Sequence, residues 1–366
     1  MEKFLKIEPK GDYRIIALSD LHGGLHLVKP LIQKVNLTDN DYLIIIGDTI
    51  QKGPYNIEML SYLQELFKRK NTYILSGNHE KYILSLLRKE KVEDFDKHIN
   101  EVWHPSIIKD WIKKLHIDYK KIGNPREVQN KIKNNFKNEI KFLEELPIAL
   151  EFDNFIFVHA GIEKKTDWKQ SSLQSLLAFR SFLNEGHKSN KYVVVGHWPT
   201  QNYRKRSLCG DVLIDNDKKI ICIDGGYGVK CCGQINALII EKKDGEFFFS
   251  QKSQDDFKTF KVRNSYLGEN KSIVKLDWQD CDFEVIKKEQ EFSICKKSST
   301  GEEFLLKNEF ITEEDGDFNI TTDSVSLFLN VNKGDEVKVI KEYGKFIFAK
   351  YNGEIGWIEK EHLELK

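Results

Sequence analysis

Five short apolar runs each break off into a polar, glycine-containing motif. This pattern constrains the fold more than any other feature of the chain. Tyr13–Leu18 (YRIIAL) runs into Ser19-Asp20-Leu21-His22-Gly23, and Tyr42–Ile46 (YLIII) into Gly47-Asp48-Thr49-Ile50-Gln51-Lys52-Gly53-Pro54. Thr72–Leu75 leads to Gly77-Asn78-His79-Glu80, Phe155–Val158 to His159-Ala160-Gly161, and Tyr192–Val195 to Gly196-His197. A further stretch reads Ile223-Asp224-Gly225-Gly226. Each run is too short for a helix and rich in β-branched or aromatic residues, as buried strands are. Between two of them, Ile57, Leu60, Leu63, Leu66 and Phe67 recur at the spacing of a helix face. Alternating strand and helix predicts an α/β fold with parallel strands. In such sheets the site forms where strands end and loops begin.

The residues at those strand ends are Asp, Asn and His, ligands suited to Mn²⁺, Fe or Zn²⁺. Asp20 and His22, two residues apart, can grip one ion. Asp48, at the neighbouring strand end, can bridge to a second, which Asn78, His159 and His197 complete. Two-metal hydrolytic sites hold their ions ~3.5–4 Å apart, lower the pKa of a bridging water and neutralise phosphate oxygens. In-line attack of that hydroxide on phosphorus leaves an oxygen in need of a proton, and His79, beside Asn78, is placed to give it. A lone His after a strand is more often structural. The force lies in five motifs, in order, each directly after a strand-like run.

That set resembles the metallophosphoesterase superfamily. The likeness is to the phosphoprotein-phosphatase-like branch, with bacterial serine/threonine phosphatases and symmetrical diadenosine tetraphosphate hydrolases, and it spans roughly Tyr13 to Ile240. The resemblance implies a four-layer α/β sandwich and two divalent ions, Mn²⁺ foremost. It implies metal ligands at Asp20, His22, Asp48, Asn78, His159 and His197, and a general acid at His79. Bacterial members carry an Arg before the VVxGH strand. Ala178-Phe179-Arg180-Ser181-Phe182-Leu183 matches that segment, so Arg180 is the implied phosphate clamp, its planar fork suiting two oxygens. Only eight of the 57 basic residues are Arg, which makes an accidental Arg here less expected.

The second motif departs from the family. GDTIQKG stands where GDxVDRG is usual. Gln51 replaces the Asp that orients the general-acid His; it can accept a hydrogen bond from the imidazole but cannot stabilise imidazolium by charge. Lys52 replaces a phosphate-holding Arg and keeps charge without bidentate geometry. Ser76 stands where an Arg often precedes the third motif. The expected function is therefore a phosphoesterase acting on a phosphomonoester, phosphoprotein or nucleotide. The alternatives are a dinucleoside polyphosphate hydrolase, or a regulatory protein that binds a phosphorylated ligand with little turnover.

Residues 1–260 are read as the catalytic domain. Within it, the Lys-, Asn- and Glu-rich residues 81–147 read as a helical insertion, either a wall over the site or a solvated spacer. After about Phe260 the texture turns β-like and repeats. Phe283–Lys288 parallels Val337–Glu342, Phe292–Lys296 parallels Phe346–Lys350, and Gly301–Phe310 parallels Gly353–Leu363. The second copy, with its Gly356-Trp357-Ile358 strand, resembles bacterial SH3-like domains; the first has Glu303-Phe304 in place of the Gly-Trp pair. Two small SH3-like β-barrels are expected, at 261–316 and 317–366. Their implied role is docking of a protein or peptide partner.

Composition narrows the remaining classes. Lys+Arg and Asp+Glu are both 57, so the chain lacks the basic excess of a nucleic-acid-coating protein. Tyr203-Arg204-Lys205-Arg206 reads better as a solvated loop than as a groove, and His26 as a surface residue. Six cysteines form no CxxC pair, and Cys231-Cys232 reads as packing. No run of about 18 apolar residues predicts a membrane span, and the first 20 residues lack a secretory pattern. A cytoplasmic protein without a membrane partner is expected.

Overall fold

The computed structural model describes residues 3–314 and 317–364. They divide into two compact units. The first comprises Met1–Pro199, Val212–Val229 and Gln234–Gln254; the second comprises Thr200–Asp211, Lys230–Gly233 and Asp255–Lys366.

The first unit is a mixed α/β fold built on two sheets. Strand β1 is Phe4–Ile7, β2 Tyr13–Leu18, β3 Tyr42–Ile46, β4 Thr72–Leu75, β5 Ala149–Phe152, β6 Phe155–Val158 and β7 Tyr192–Val195. Strand β8 is Leu213–Asp215, β9 Ile220–Cys222, β10 Ile235–Lys243 and β11 Glu246–Gln254. One sheet has the order β11-β10-β2-β3-β4 and the other β1-β5-β6-β7-β9-β8. Strands β2, β3 and β4 run parallel, as do β6, β7 and β9.

Strand alternation explains why the sheets stack. Side chains one residue apart on a strand point to opposite faces. Ile15 and Ala17 of β2 and Ile44 and Ile46 of β3 enter a core shared with Leu150, Phe155, Phe157, Val194 and Ile221 of the other sheet. Ile16, Leu18, Leu43 and Ile45 face the other way, onto a second core. There they meet α1 (Leu25–Lys34) and α2 (Asn56–Phe67), and through them the insertion. All five apolar runs are buried on both faces, which fits their lack of alternation.

Residues 81–147 are mostly helical. Helix α3 (Asn78–Leu86) enters the segment, followed by α4 (Val92–Glu101), α5 (Ile107–Lys114), α6 (Tyr119–Ile122), α7 (Pro125–Asn135) and α8 (Lys137–Glu145). Phe95, Ile107, Ile108, Trp111, Val128 and Ile132 bury the shared face. The loop between α4 and α5 returns to the second motif, where the Pro105 carbonyl accepts the Lys52 backbone N–H at 3.0 Å.

The second unit holds two antiparallel meanders. One is Phe283–Lys287, Phe292–Lys297 and Glu303–Lys307, ending in a 3₁₀ turn at Asn308–Phe310. The other is Glu336–Tyr343, Phe346–Tyr351 and Glu354–Glu359, ending in a 3₁₀ turn at Lys360–His362, with Lys258–Lys261 added at its edge. The repeat extends to an irregularity: the register shifts between Val285 and Lys287 in one copy and between Val339 and Lys341 in the other. These are matched positions in the sequence repeat. The sheets are small, and none closes into a barrel among the described residues. The expected boundary at residue 316 lies outside the described residues. Trp357 is fully buried among Phe292, Phe310 and Phe348, and its indole N–H donates to the Val325 carbonyl at 3.1 Å. Among the described residues, no helix is long and apolar enough to cross a membrane.

Candidate metal centre

The loops after β2, β3, β4, β6 and β7 bring their polar residues together. His22, Asp48 and His79 each offer a ligand atom within 4.8 Å of the others, and so do Asp48, His159 and His197. Asp48 belongs to both triplets. Its Oδ2 lies 3.4 Å from His159 Nε2 and 3.8 Å from His79 Nε2, while its Oδ1 accepts the His79 backbone N–H at 2.9 Å.

Sharp loops make this convergence possible. Asp20, His22, Asp48, Gln51, Lys52 and His197 all have positive φ, from 41° to 80°. Such conformations cost of order 1–3 kcal/mol each and collect at functional sites. Glycines let the carboxylates approach. A Cβ on Gly77 would lie 2.2 Å from Asp48 Oδ1, and one on Gly196 would lie 2.2 Å from Asp20 Oδ2.

The donor set fits a cation. The His159 Nδ1–H donates to the Ile46 carbonyl at 2.8 Å, which turns Nε2 toward Asp48. Second-shell bonds of this kind orient metal-binding imidazoles. The Asn78 amide faces His159 Nε2 (2.9 Å), His197 Nδ1 (2.9 Å), Asp48 Oδ2 (3.3 Å) and the Leu177 carbonyl (3.2 Å). All four are acceptors when the imidazoles are neutral. An amide nitrogen turned toward them donates to them; the amide oxygen turned the same way joins them in a set that only a cation satisfies.

Burial and neighbouring charge shift the imidazoles and carboxylates of the centre. Burial lowers His79 to about 4 and His197 to about 3, the latter helped by His159. Burial also lowers His22, with Lys52 Nζ 3.4 Å from its Nε2 adding to the effect. For His159 burial is overridden: the Asp48 carboxylate, backed by Asp20, pushes the imidazole up to about 10. Burial would raise Asp48, yet His159 and His79 hold it well below the usual carboxylate range.

Asp20 stands apart from both triplets, where pairing with His22 was expected. Its buried carboxylate accepts the His197 backbone N–H at 2.9 Å and the Ser19 hydroxyl. Burial and the neighbouring Asp224 raise its pKa. Lys52 reaches His22, with Nζ 3.4 Å from the imidazole Nε2. Gln51 does not behave as expected. It is fully buried, but neither atom of its side-chain amide has a hydrogen-bond partner among the described residues, so it does not hold His79. The positive φ at Gln51 and the bond from its backbone N–H to Asn56 Oδ1 (2.6 Å) set its direction. Arg180 is exposed in the turn after α9 (Leu173–Ala178) and makes no ion pair among the described residues. Leu177, three residues earlier, reaches Asn78 with its carbonyl.

Two further buried carboxylates shape the centre. Asp224, directly after β9, is buried and raised to about 6, chiefly by burial. Its signal was present: it follows an apolar run as Asp20 and Asp48 do. Glu80 is fully buried and accepts four bonds, from the backbone N–H groups of Asp48 (3.0 Å), Thr49 (2.7 Å) and Gly77 (2.7 Å) and from the Thr49 hydroxyl (2.8 Å). It clamps the loop after β3 to the start of α3. Its spacing three residues after Gly77 is that of a capping glutamate.

Strand-end carboxylates, imidazoles and an amide around one shared aspartate define a metal-binding phosphoesterase site. Residues 13–233, more than half of the chain, match the calcineurin-like phosphoesterase family, and the chain belongs to it. It is 26% identical over 160 residues to an asymmetrical bis(5'-nucleosyl)-tetraphosphatase of Oceanobacillus iheyensis, covering 41% of this chain and 56% of that protein. It is 26% identical over 153 residues to a symmetrical bis(5'-nucleosyl)-tetraphosphatase of Pseudomonas fluorescens, covering 38% of this chain and 50% of that protein. Among solved structures, a protein serine/threonine phosphatase from Saccharomyces cerevisiae aligns with a TM-score of 0.44 at 14% identity, covering 70% of this chain and 86% of that one. The chain spans about half or less of the curated relatives it matches.

Proposed function

We propose that the protein is a metal-dependent phosphoesterase with a dinuclear centre, acting on a phosphomonoester of a protein or nucleotide. The observation that carries this reading is the place of Asp48, within ligand reach of His22 on one side and of His159 and His197 on the other; His79, which completes the first triplet, is kept for proton transfer. Asp20, His22, Asp48, Asn78, His159 and His197 would hold two divalent ions, Mn²⁺ in the first place. When bound, such ions activate water and neutralise phosphate oxygens. The chain's own residues do the rest. Lys52, beside His22, binds a phosphate oxygen. Arg180 folds onto the outer oxygens when substrate arrives. His79, with Nε2 3.8 Å from Asp48 Oδ2 and next to Asn78 in the chain, is the residue placed to pass a proton to the leaving oxygen. Gln51 is the weak point of this shell, because it offers His79 neither a charge nor a hydrogen bond.

Residues 1–260 are read as the four-layer sandwich of the family, with 81–147 as its helical insertion. The two meanders are read as SH3-like repeats over 261–316 and 317–366, recruiting a protein or peptide partner. A cytoplasmic location is proposed with them. Two further readings have specific support. The names of the relatives favour a dinucleoside polyphosphate as the substrate. The unpartnered Gln51 favours a phospho-ligand sensor with slow turnover.

A panel of phosphopeptides, nucleotides and dinucleoside polyphosphates, assayed on Mn²⁺-loaded protein, tests the proposal. Hydrolysis of at least one member, lost on chelation and in Asp48→Asn, is expected. Full hydrolysis by Asp48→Asn with both ions bound would remove the shared aspartate from the mechanism.

A further inference from the structure

Trp103 is 92% exposed, whereas Trp111, eight residues on, is 1% exposed in the core. An indole is a large apolar surface to leave in water. The segment that carries Trp103 is not loose. The Val102 carbonyl accepts Lys109 Nζ, and the Val102 backbone N–H bonds to the His98 carbonyl at 3.4 Å. Buried His98 bonds through Nε2 to Ser106 Oγ at 2.6 Å and through Nδ1 to Tyr82 Oη at 3.1 Å. Between these anchors, the Pro105 carbonyl takes the backbone N–H of Lys52. The insertion therefore holds an unfilled aromatic face two residues from a direct contact with the phosphate-binding motif. His104 packs edge-on to that indole, with ring centroids 5.8 Å apart.

We propose that Trp103 is a base-stacking platform: it takes the nucleobase of a nucleotide substrate whose phosphate lies at the metal centre. The proposal rests on the phosphoesterase reading and narrows it to nucleotides. A fixed aromatic face costs little ordering entropy on binding. Base–aromatic stacking tolerates any base, because every base presents a π-face. A phosphopeptide needs no such face, since its phosphate and backbone supply the contacts. The platform is a specificity residue: it positions substrate and takes no part in bond breaking.

The test is calorimetric binding to Mn²⁺-loaded full-length protein of two probes that resist cleavage. One is methylene-bridged diadenosine tetraphosphate; the other is methylenediphosphonate, which has no base. Trp103→Ala should weaken the first about tenfold or more, the range of one lost stack, and leave the second unchanged. Trp103→Phe should stay within about threefold of wild type, because a smaller ring keeps most of the stack. Equal binding of the dinucleotide by wild type and Trp103→Ala overturns the proposal. So does reduced self-association in Trp103→Ala with unchanged nucleotide affinity, which would assign the indole to a second copy of the chain. Turnover of phosphoesters without binding of the dinucleotide overturns the platform and leaves the phosphoesterase reading standing. Trp103-dependent binding without turnover of any phosphoester keeps the platform and overturns that reading.

Discussion

Gly196 shows how closely the site is packed at the scale of single residues. Its α-carbon lies against Asp20 and Ser19, so a methyl group there forces both away or forces the loop out. Gly196→Ala should lower the melting temperature and weaken metal binding together, measured by thermal unfolding with and without added Mn²⁺. An unchanged metal-induced shift would mean that Asp20 matters little to ion affinity. Glu80 acts from behind the site. Removing its carboxylate strands three backbone N–H groups and a hydroxyl in a dry place. Each unsatisfied buried group costs about 1–3 kcal/mol, so Glu80→Ala should lose more than about 3 kcal/mol in urea unfolding. A loss below about 1 kcal/mol would show that water takes over these bonds.

At the scale of elements, the insertion carries a pH dependence of its own. His98 is buried between Tyr82 and Ser106, and burial, with the charge of Lys109 next, lowers it to about 4. A base whose pKa is depressed by folding stabilises the fold above its unfolded pKa. That stability is lost as pH falls from about 6.5 toward 4, by up to about 3 kcal/mol. Unfolding measured between pH 7 and 4 should show this slope, and His98→Gln should flatten it. The strands that carry the site were legible in the sequence to the residue, because β2, β3, β4, β6 and β7 are continuous apolar runs ending in turn-forming motifs. Five of the six strand-end ligand candidates fall on the two triplets or on the Asn78 amide between them; Asp20 lies beside them. What could not be read was long-range. That β10 pairs with β2, and β1 with β5, depends on contacts across more than 140 residues. Gln51 misled for a related reason. Its spacing matches the family's orienting Asp, but its backbone conformation and its bond to Asn56 decide where it points.

For the whole molecule, zero net charge says little about substrate charge, since the proposed ions would attract phosphate locally. Ion binding couples to folding. At a hundred times the dissociation constant, one bound ion stabilises by about 2.7 kcal/mol. With a conversion of roughly 2–4 °C per kcal/mol for a domain of about 150–250 residues, the size range of the first unit, saturating Mn²⁺ should raise the Tm of that unit by about 5–10 °C for one ion and more for two. The second unit is not a detachable appendage in sequence, because it includes Thr200–Asp211, which begins three residues after His197. Buried Lys275 donates to the carbonyls of Gln201 (2.6 Å) and Arg204 (2.9 Å). Truncation after Gln254 removes those partners, so turnover should fall along with stability; full activity of the truncated chain would make the C-terminal residues a targeting device alone. In the proposed centre one aspartate, Asp48, would join two ions. Electron paramagnetic resonance of protein loaded with two equivalents of Mn²⁺ tests it most directly. An exchange-coupled dimanganese spectrum, lost in Asp48→Asn, is the predicted result. Six-line spectra of isolated Mn²⁺ in the wild type would contradict it.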